Sequence, residues 1–225
     1  MTGEIHRFGT RAPSRVGGPF EFDGSGDISS HGDLQIAHLA LDGNGSSGPL
    51  AAHVTVIVTN GILTLDGDQK VTLKTGQAAV LGRGTHVDWR AERDCECIVA
   101  SYFPAQHSPG IAYLDPRAER QPSRGPSESV LLSPVPICNK LTVFESADGK
   151  YGVGYWDAEA YSRKSVEYDY YELMHLLRGE VTLGQRDESD FRAAAGEVLV
   201  VTPGSASTWV SKADVEKLWI SYAPQ

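Results

Sequence analysis

No run in this chain approaches the ~20 consecutive apolar residues that a membrane-spanning helix requires. The opening MTGEIHRFGTRAPS lacks the apolar core of a secretory leader. Positive charge is scarce: 20 Lys and Arg stand against 29 Asp and Glu, a formal charge of -9. Nucleic acid and anionic membranes are bound through a basic face that displaces counterions, so neither partner is expected. Cysteine is limited to Cys95, Cys97 and Cys138, an odd number without the spacing of a disulfide framework. Cys95 and Cys97 share one face of an expected strand, and with no two further ligands nearby they read as buried thiols rather than a zinc site. A sustained 3.6-residue apolar period is missing too, which argues against helices. What these absences leave is a soluble, cytoplasmic protein with a small-molecule or protein partner.

What is present is strand-like. Short runs of Val, Ile, Leu and Thr alternate with turn signals such as Asp66-Gly67-Asp68, Gly82-Arg83-Gly84 and Asp148-Gly149. Many short strands at regular spacing point to a sandwich or barrel. The chain also repeats itself. VTVIVTNGILTL is followed by Gly76, Gly84 and Trp89 and closes on CECIVASYFPAQ; ELMHLLRGEVTL is followed by Gly196, Gly204 and Trp209 and closes on VEKLWISYAPQ. Both copies step eight residues between the glycines and five from the second glycine to the tryptophan, and Ser101-Tyr102 matches Ser221-Tyr222 without a gap. Agreement on this scale marks a tandem duplication. Between the copies, Pro104, Pro109, Pro116, Pro122 and Pro126 suit an extended connector. The expected organisation is an N-terminal domain over 1–115, a Pro-rich linker over 116–128 and a C-terminal domain over 129–225.

The second copy reads Tyr168-Asp169-Tyr170-Tyr171-Glu172, then Arg178-Gly179-Glu180-Val181-Thr182, then Gly196-Glu197, and Gly204 leading to Ser207-Thr208-Trp209. These residues resemble the cupin superfamily, and more closely its subgroup found in ethanolamine-utilisation proteins and ureidoglycine aminohydrolase. The resemblance covers roughly 34–102 and 152–222. It implies an all-β fold of two tandem double-stranded β-helix barrels, jelly-roll-like, packed as single barrels pack in a dimer; a further homodimer is compatible with it.

Metal-binding cupins hold a divalent cation with three histidines and one glutamate, a donor set suited to first-row metals. Carried over by position, Glu172, with six residues between it and Gly179, matches the glutamate. The paired histidines fall on Ser165 and Glu167, or on Val166 and Tyr168, and the last on Ser207. In the first copy the glutamate falls on Val54 and the last histidine on Val87, while His53 and His86 sit one residue early and so point to the opposite face. No metal or other cofactor is expected.

Superposing the copies places Glu172 over Val54 and Lys217 over Cys97: an acid and a base replace two apolar residues together. A lone buried charge costs several kcal/mol unless paired, so Glu172 and Lys217 are expected to face the interior as an ion pair. Strand parity then turns Tyr170, Met174, Leu176, Ser207 and Trp209 inward as well. Two readings of this cluster stand open. It is a ligand site in which Lys217 or Glu172 takes the polar end of a metabolite and Trp209 stacks on the rest, or it is an inert internal salt bridge. His38 and Trp156 are expected at corresponding positions as packing residues, and Tyr161-Ser162-Arg163-Lys164 as a solvated loop.

Two functions follow: a metal-independent module binding a small polar or amine-bearing metabolite in the second barrel, and an enzyme of amine or ureide nitrogen metabolism resembling ureidoglycine aminohydrolase. That enzyme's activity uses a divalent cation, and the absent histidines count against it.

Overall fold

A computed structural model describes residues 3–9, 13–15, 28–184 and 190–224. Apart from the short 3-10 turn Glu128–Val130, every regular element among them is a strand. One sheet orders Ile5–Phe8, Val198–Val201, Tyr171–Arg178, Val215–Tyr222, Tyr151–Ala158, Cys138–Glu145 and Gln121–Pro122; a smaller one orders Ser162–Glu167, Ala206–Val210, Glu180–Leu183 and Phe191–Ala194. The first half is built on the corresponding strands, but there Leu34–Ser47 and Val87–Tyr102 run on as long bent strands, so its two faces belong to one sheet. The fold is all-β and barrel-like, as expected.

Strand pairing places Glu172 and Lys217 at the positions of Val54 and Cys97. Val54 pairs with Ser101 and Glu172 with Ser221; Val58 pairs with Cys97 and Leu176 with Lys217. One correspondence is corrected. Leu39 pairs with Cys97 and Trp156 with Lys217, so Trp156 stands where the first half has Leu39, and His38 matches Tyr155. The spacing of glycines and tryptophans fixed the register of the later strands only, and a one-residue slip on a strand exchanges its faces.

Three apolar clusters explain why the strands read as continuous hydrophobic runs rather than alternating ones. Val54, Val56 and Val58 face a core within the first half, with Leu39, Cys97 and Trp89. Met174, Leu176 and Val215 face a core within the second. The opposite faces, carrying Ile57, Ile98 and Ala100 from one half and Leu173, Leu218 and Ile220 from the other, meet in a third cluster between the halves. Strands covered on both faces lose the period of two.

One strand crosses between the halves. Ile5–Phe8, at the start of the chain, pairs with Val198–Val201 of the second half, while Ile111–Leu114 pairs with Ala78–Leu81 of the first. The connector that follows is extended and held down: Gln121–Pro122 pairs with Asn139–Lys140, and the Arg120 guanidinium bridges Asp157 (2.8 Å) and Glu216 over the ring of Tyr155.

Candidate functional site

The strand Tyr171–Arg178 alternates Glu172, Met174 and Leu176 toward the second core and Leu173 and His175 toward the other half. On the neighbouring strand the same parity turns Val215, Lys217 and Trp219 away from the cluster between the halves, and on Tyr151–Ala158 it does so for Gly152, Gly154 and Trp156. Lys217 does not reach its carboxylate straight across the ladder. It pairs through its backbone with Leu176, and its side chain leans past Met174, Nζ to Sδ 3.1 Å, to donate to Glu172 Oε1 at 2.7 Å. The two side chains are 11% and 9% exposed, so the charges answer each other in a partly desolvated setting. Trp156 and Trp209 stand over the ammonium, 5.0 and 5.7 Å from Nζ to the ring centroids. Tyr170 donates its phenol to Glu172 Oε2 at 3.4 Å, and the neighbouring carboxylate, with burial, pushes that phenol well above its ordinary range.

Glu172 and Lys217 form the floor of a cleft of about 720 Å³ walled by Trp156, Trp219 and Tyr170, with Asp169, Lys140, Lys150 and Arg124 at its mouth. The expected ion pair is therefore present and Tyr170 is at the cleft. Three other expected residues stand behind it. Met174 is fully buried and contributes its sulfur to Lys217. Trp209 is 3% exposed, with Tyr161 stacked on its face at 5.7 Å and Trp156 edge-on at 6.1 Å, so the wall position expected of Trp209 belongs to Trp156. Ser207 is fully buried, and its hydroxyl has no hydrogen-bond partner among the described residues.

A further correction concerns Tyr161-Ser162-Arg163-Lys164. It opens a strand rather than a solvated loop: Tyr161 and Arg163 are 5% and 7% exposed. The Arg163 guanidinium is satisfied internally, by the Ser207 carbonyl at 2.6 Å and the Tyr168 hydroxyl at 2.9 Å. Charged residue names suggested solvent, whereas an arginine whose donors all find carbonyls and hydroxyls tolerates burial.

The cation implied by the resemblance does not fit this donor set. Ser165, Val166 and Glu167 are exposed on their strand, Tyr168 is engaged with Arg163, and Glu172 with Lys217. Among the described residues no three His, Cys, Asp or Glu side chains gather as a metal site. In the first half, Val54 and Val87 lie in the core, while buried His53 turns away to accept from the Arg83 amide at 3.0 Å and packs on Phe144; His86 is exposed.

Sequence reasoning missed Trp219, Lys140, Lys150 and Arg124, and valued Trp156 only as packing. Trp219 was legible: it replaces Val99, and the glycines beneath it, Gly152 and Gly154, replace Gln35 and Ala37. A Cβ on Gly152 would meet the Trp219 ring at 3.2 Å, and one on Gly154 would clash with the Leu141 carbonyl oxygen and meet the ring at 2.9 Å, so the indole and the Leu141 backbone together leave no room for side chains there.

Residues 145–219 match the family model of the EutQ-like cupin domain. The sequence has no match among curated proteins. A protein of unknown function of the DUF861 family from Pseudomonas syringae pv. tomato str. DC3000 superposes with a TM-score of 0.88 at 25% identity, over 98% of this chain and 100% of that one. A cupin 2 conserved barrel domain protein from Leptotrichia buccalis superposes at 0.63 with 13% identity, over 99% and 90%. An oxalate decarboxylase from Bacillus subtilis does so at 0.53 with 9% identity, over 100% and 78%. The chain thus carries a cupin domain and has the cupin fold.

Proposed function

We propose that the chain is a bicupin that binds a small metabolite in its C-terminal barrel, with the N-terminal barrel as its structural partner. The observation that carries this reading is the asymmetry of the duplication. At equivalent positions one half closes its interior with Val54, Cys97 and Leu39, while the other opens a cleft floored by Glu172 and Lys217 beside Trp156. An inert salt bridge would need neither the opening nor the indole walls; a ligand needs a concave apolar surface with a few fixed polar groups.

The test is a thermal-shift screen of the full chain against amines, ureides and carboxylates, since a ligand bound only by the native state raises the melting temperature. A shift that disappears in Trp156→Ala and in the Glu172→Leu/Lys217→Met pair supports the site. A shift that both variants retain places the ligand elsewhere and overturns it.

A second reading, hydrolysis at a carbon-nitrogen bond of an amine or ureide, draws on one observation. Tyr170, Glu172 and Lys217 form a chain of a phenol donor, a carboxylate and an ammonium at the cleft, the residue types of general acid-base catalysis. Ammonia release from ureides, lost in Glu172→Gln, would establish it; no release from any ureide that the cleft binds would dismiss it.

A further inference from the structure

The rim of the same cleft says which ligand charge it takes. Four cationic side chains line it, Arg124, Lys140, Lys150 and Lys217, against two carboxylates, Asp169 and Glu172. Lys217 is neutralised by Glu172. Three cations then face one carboxylate, a local excess of positive charge in a chain whose net charge is -9.

None of Arg124, Lys140 and Lys150 has a carboxylate partner among the described residues. The two lysine ammonium groups contact neutral groups. Lys140 Nζ lies over the Trp219 ring, 4.2 Å from its centroid, and Lys150 Nζ donates to the Pro224 carbonyl at 3.3 Å. They are nonetheless placed deliberately. The pairing of Gln121–Pro122 with Asn139–Lys140 brings the connector that carries Arg124 alongside Lys140, and the Arg120 bridge to Asp157 and Glu216 pins that connector. Lys150 is fixed by its own carbonyl, which accepts from the Ala223 amide at 2.9 Å.

The Trp219 indole, 6% exposed, borders the cleft and offers its ring as a wall for the body of a ligand. The indole itself arises by a concerted exchange of three positions, Val99 to Trp219 above Gln35 and Ala37 to Gly152 and Gly154.

We infer that the cleft recognises a small organic dianion, its oxygens held by Arg124, Lys140 and Lys150 and its body set against the indoles of Trp156 and Trp219. This rests on the binding-site reading above. Coulombic attraction in a partly desolvated cleft, and charge-assisted hydrogen bonds in particular, favour this charge over neutral or cationic compounds of the same shape. Two sources share the chemistry, a dicarboxylate and a phosphate monoester.

The test uses the full chain with four probes of similar size: phthalate, phenyl phosphate, benzyl alcohol and benzylamine. Affinities are measured by calorimetry and melting temperatures by fluorimetry. A dianion is expected to raise the melting temperature, and Arg124→Gln and Lys140→Gln, both on exposed side chains, to weaken it about tenfold each. Lys70→Gln, the same charge change far from the cleft, should leave affinity unchanged. Preference for phthalate or for phenyl phosphate identifies the source. Binding of benzylamine or benzyl alcohol, with no response to either dianion and sensitivity to Trp156→Ala, overturns the anion inference and leaves the pocket standing. A dianion effect that is the same in Arg124→Gln, Lys140→Gln and Trp156→Ala, or no effect of any probe, overturns the inference and the binding site together.

Discussion

Lys217 and Glu172 meet on a diagonal of the sheet rather than straight across it: Lys217 is the backbone partner of Leu176 and Glu172 that of Ser221, and the two side chains lean toward each other to close the gap. The ammonium is thereby drawn under Trp156 and Trp209 instead of toward solvent. Removing one member leaves the other charge buried alone, which costs about 3–5 kcal/mol, whereas replacing both with apolar groups of similar volume is nearly neutral. Lys217→Met and Glu172→Leu are each expected to lower the unfolding free energy in urea by that order, and Glu172→Leu/Lys217→Met to recover most of it. Additive losses in this double-mutant cycle would mean that the pair is not coupled.

His175 sits in the cluster between the halves at the position of Ile57 and is 3% exposed, with an Nδ1 that has no partner among the described residues. Burial pushes its pKa down to about 4. The folded state therefore keeps the ring neutral while the unfolded chain takes up a proton near pH 6.5. Stability is whole above pH 6.5 and falls as pH drops from 6.5 toward 4, by about 3 kcal/mol at most. His175→Ile, the residue used in the first half, should flatten that part of the stability-pH curve. An unchanged acid slope in His175→Ile would assign the loss to other groups.

The all-β fold was legible in the short Val, Ile and Thr runs between turn signals, and the matching strand positions of the two halves in the repeated glycine and tryptophan spacings. The sequence also exposed the Glu172 and Lys217 exchange, since two apolar positions became charged together. It did not reveal Trp156, because the register of the strand Tyr151–Ala158 carries no glycine landmark shared with Leu34–Ser47, and a shift of one residue put His38 in the place of Leu39. Arg163 was misjudged for a different reason. Burial of a guanidinium depends on a carbonyl from Ser207, distant in sequence, and no local pattern encodes that bond. Lys140, Lys150 and Arg124 lie on edges and turns, where a charge that meets a ligand and one that meets water look alike.

Arg120 gives the connector a measurable anchor. Its guanidinium, 12% exposed, bonds Asp157 and Glu216, which lie on adjacent strands as direct partners. Arg120→Met removes the cation from two carboxylates and is expected to cost roughly 2–3 kcal/mol. Hydrogen exchange should quicken at residues 121–140 while the first core is unaffected. Uniform exchange across both halves would show that the connector is not held locally.

The N-terminal strand ties the second half to a segment that sequence assigns to the first. Ile5 and Phe8 are 6% and 5% exposed, and their strand covers an edge, Val198–Val201, that would otherwise present unpaired backbone groups. Removing residues 1–9 is therefore expected to deprotect Val198–Val201, nearly two hundred residues away, and to leave Ala78–Leu81 protected, because Ile111–Leu114 still covers it. Phe8→Ala alone should cost about 3–5 kcal/mol through its share of the cluster between the halves. Hydrogen exchange read by mass spectrometry separates the two edges directly. Loss of protection at Ala78–Leu81 instead would mean that the N-terminal strand supports its own half, and that the crossing seen in the pairing does not govern stability.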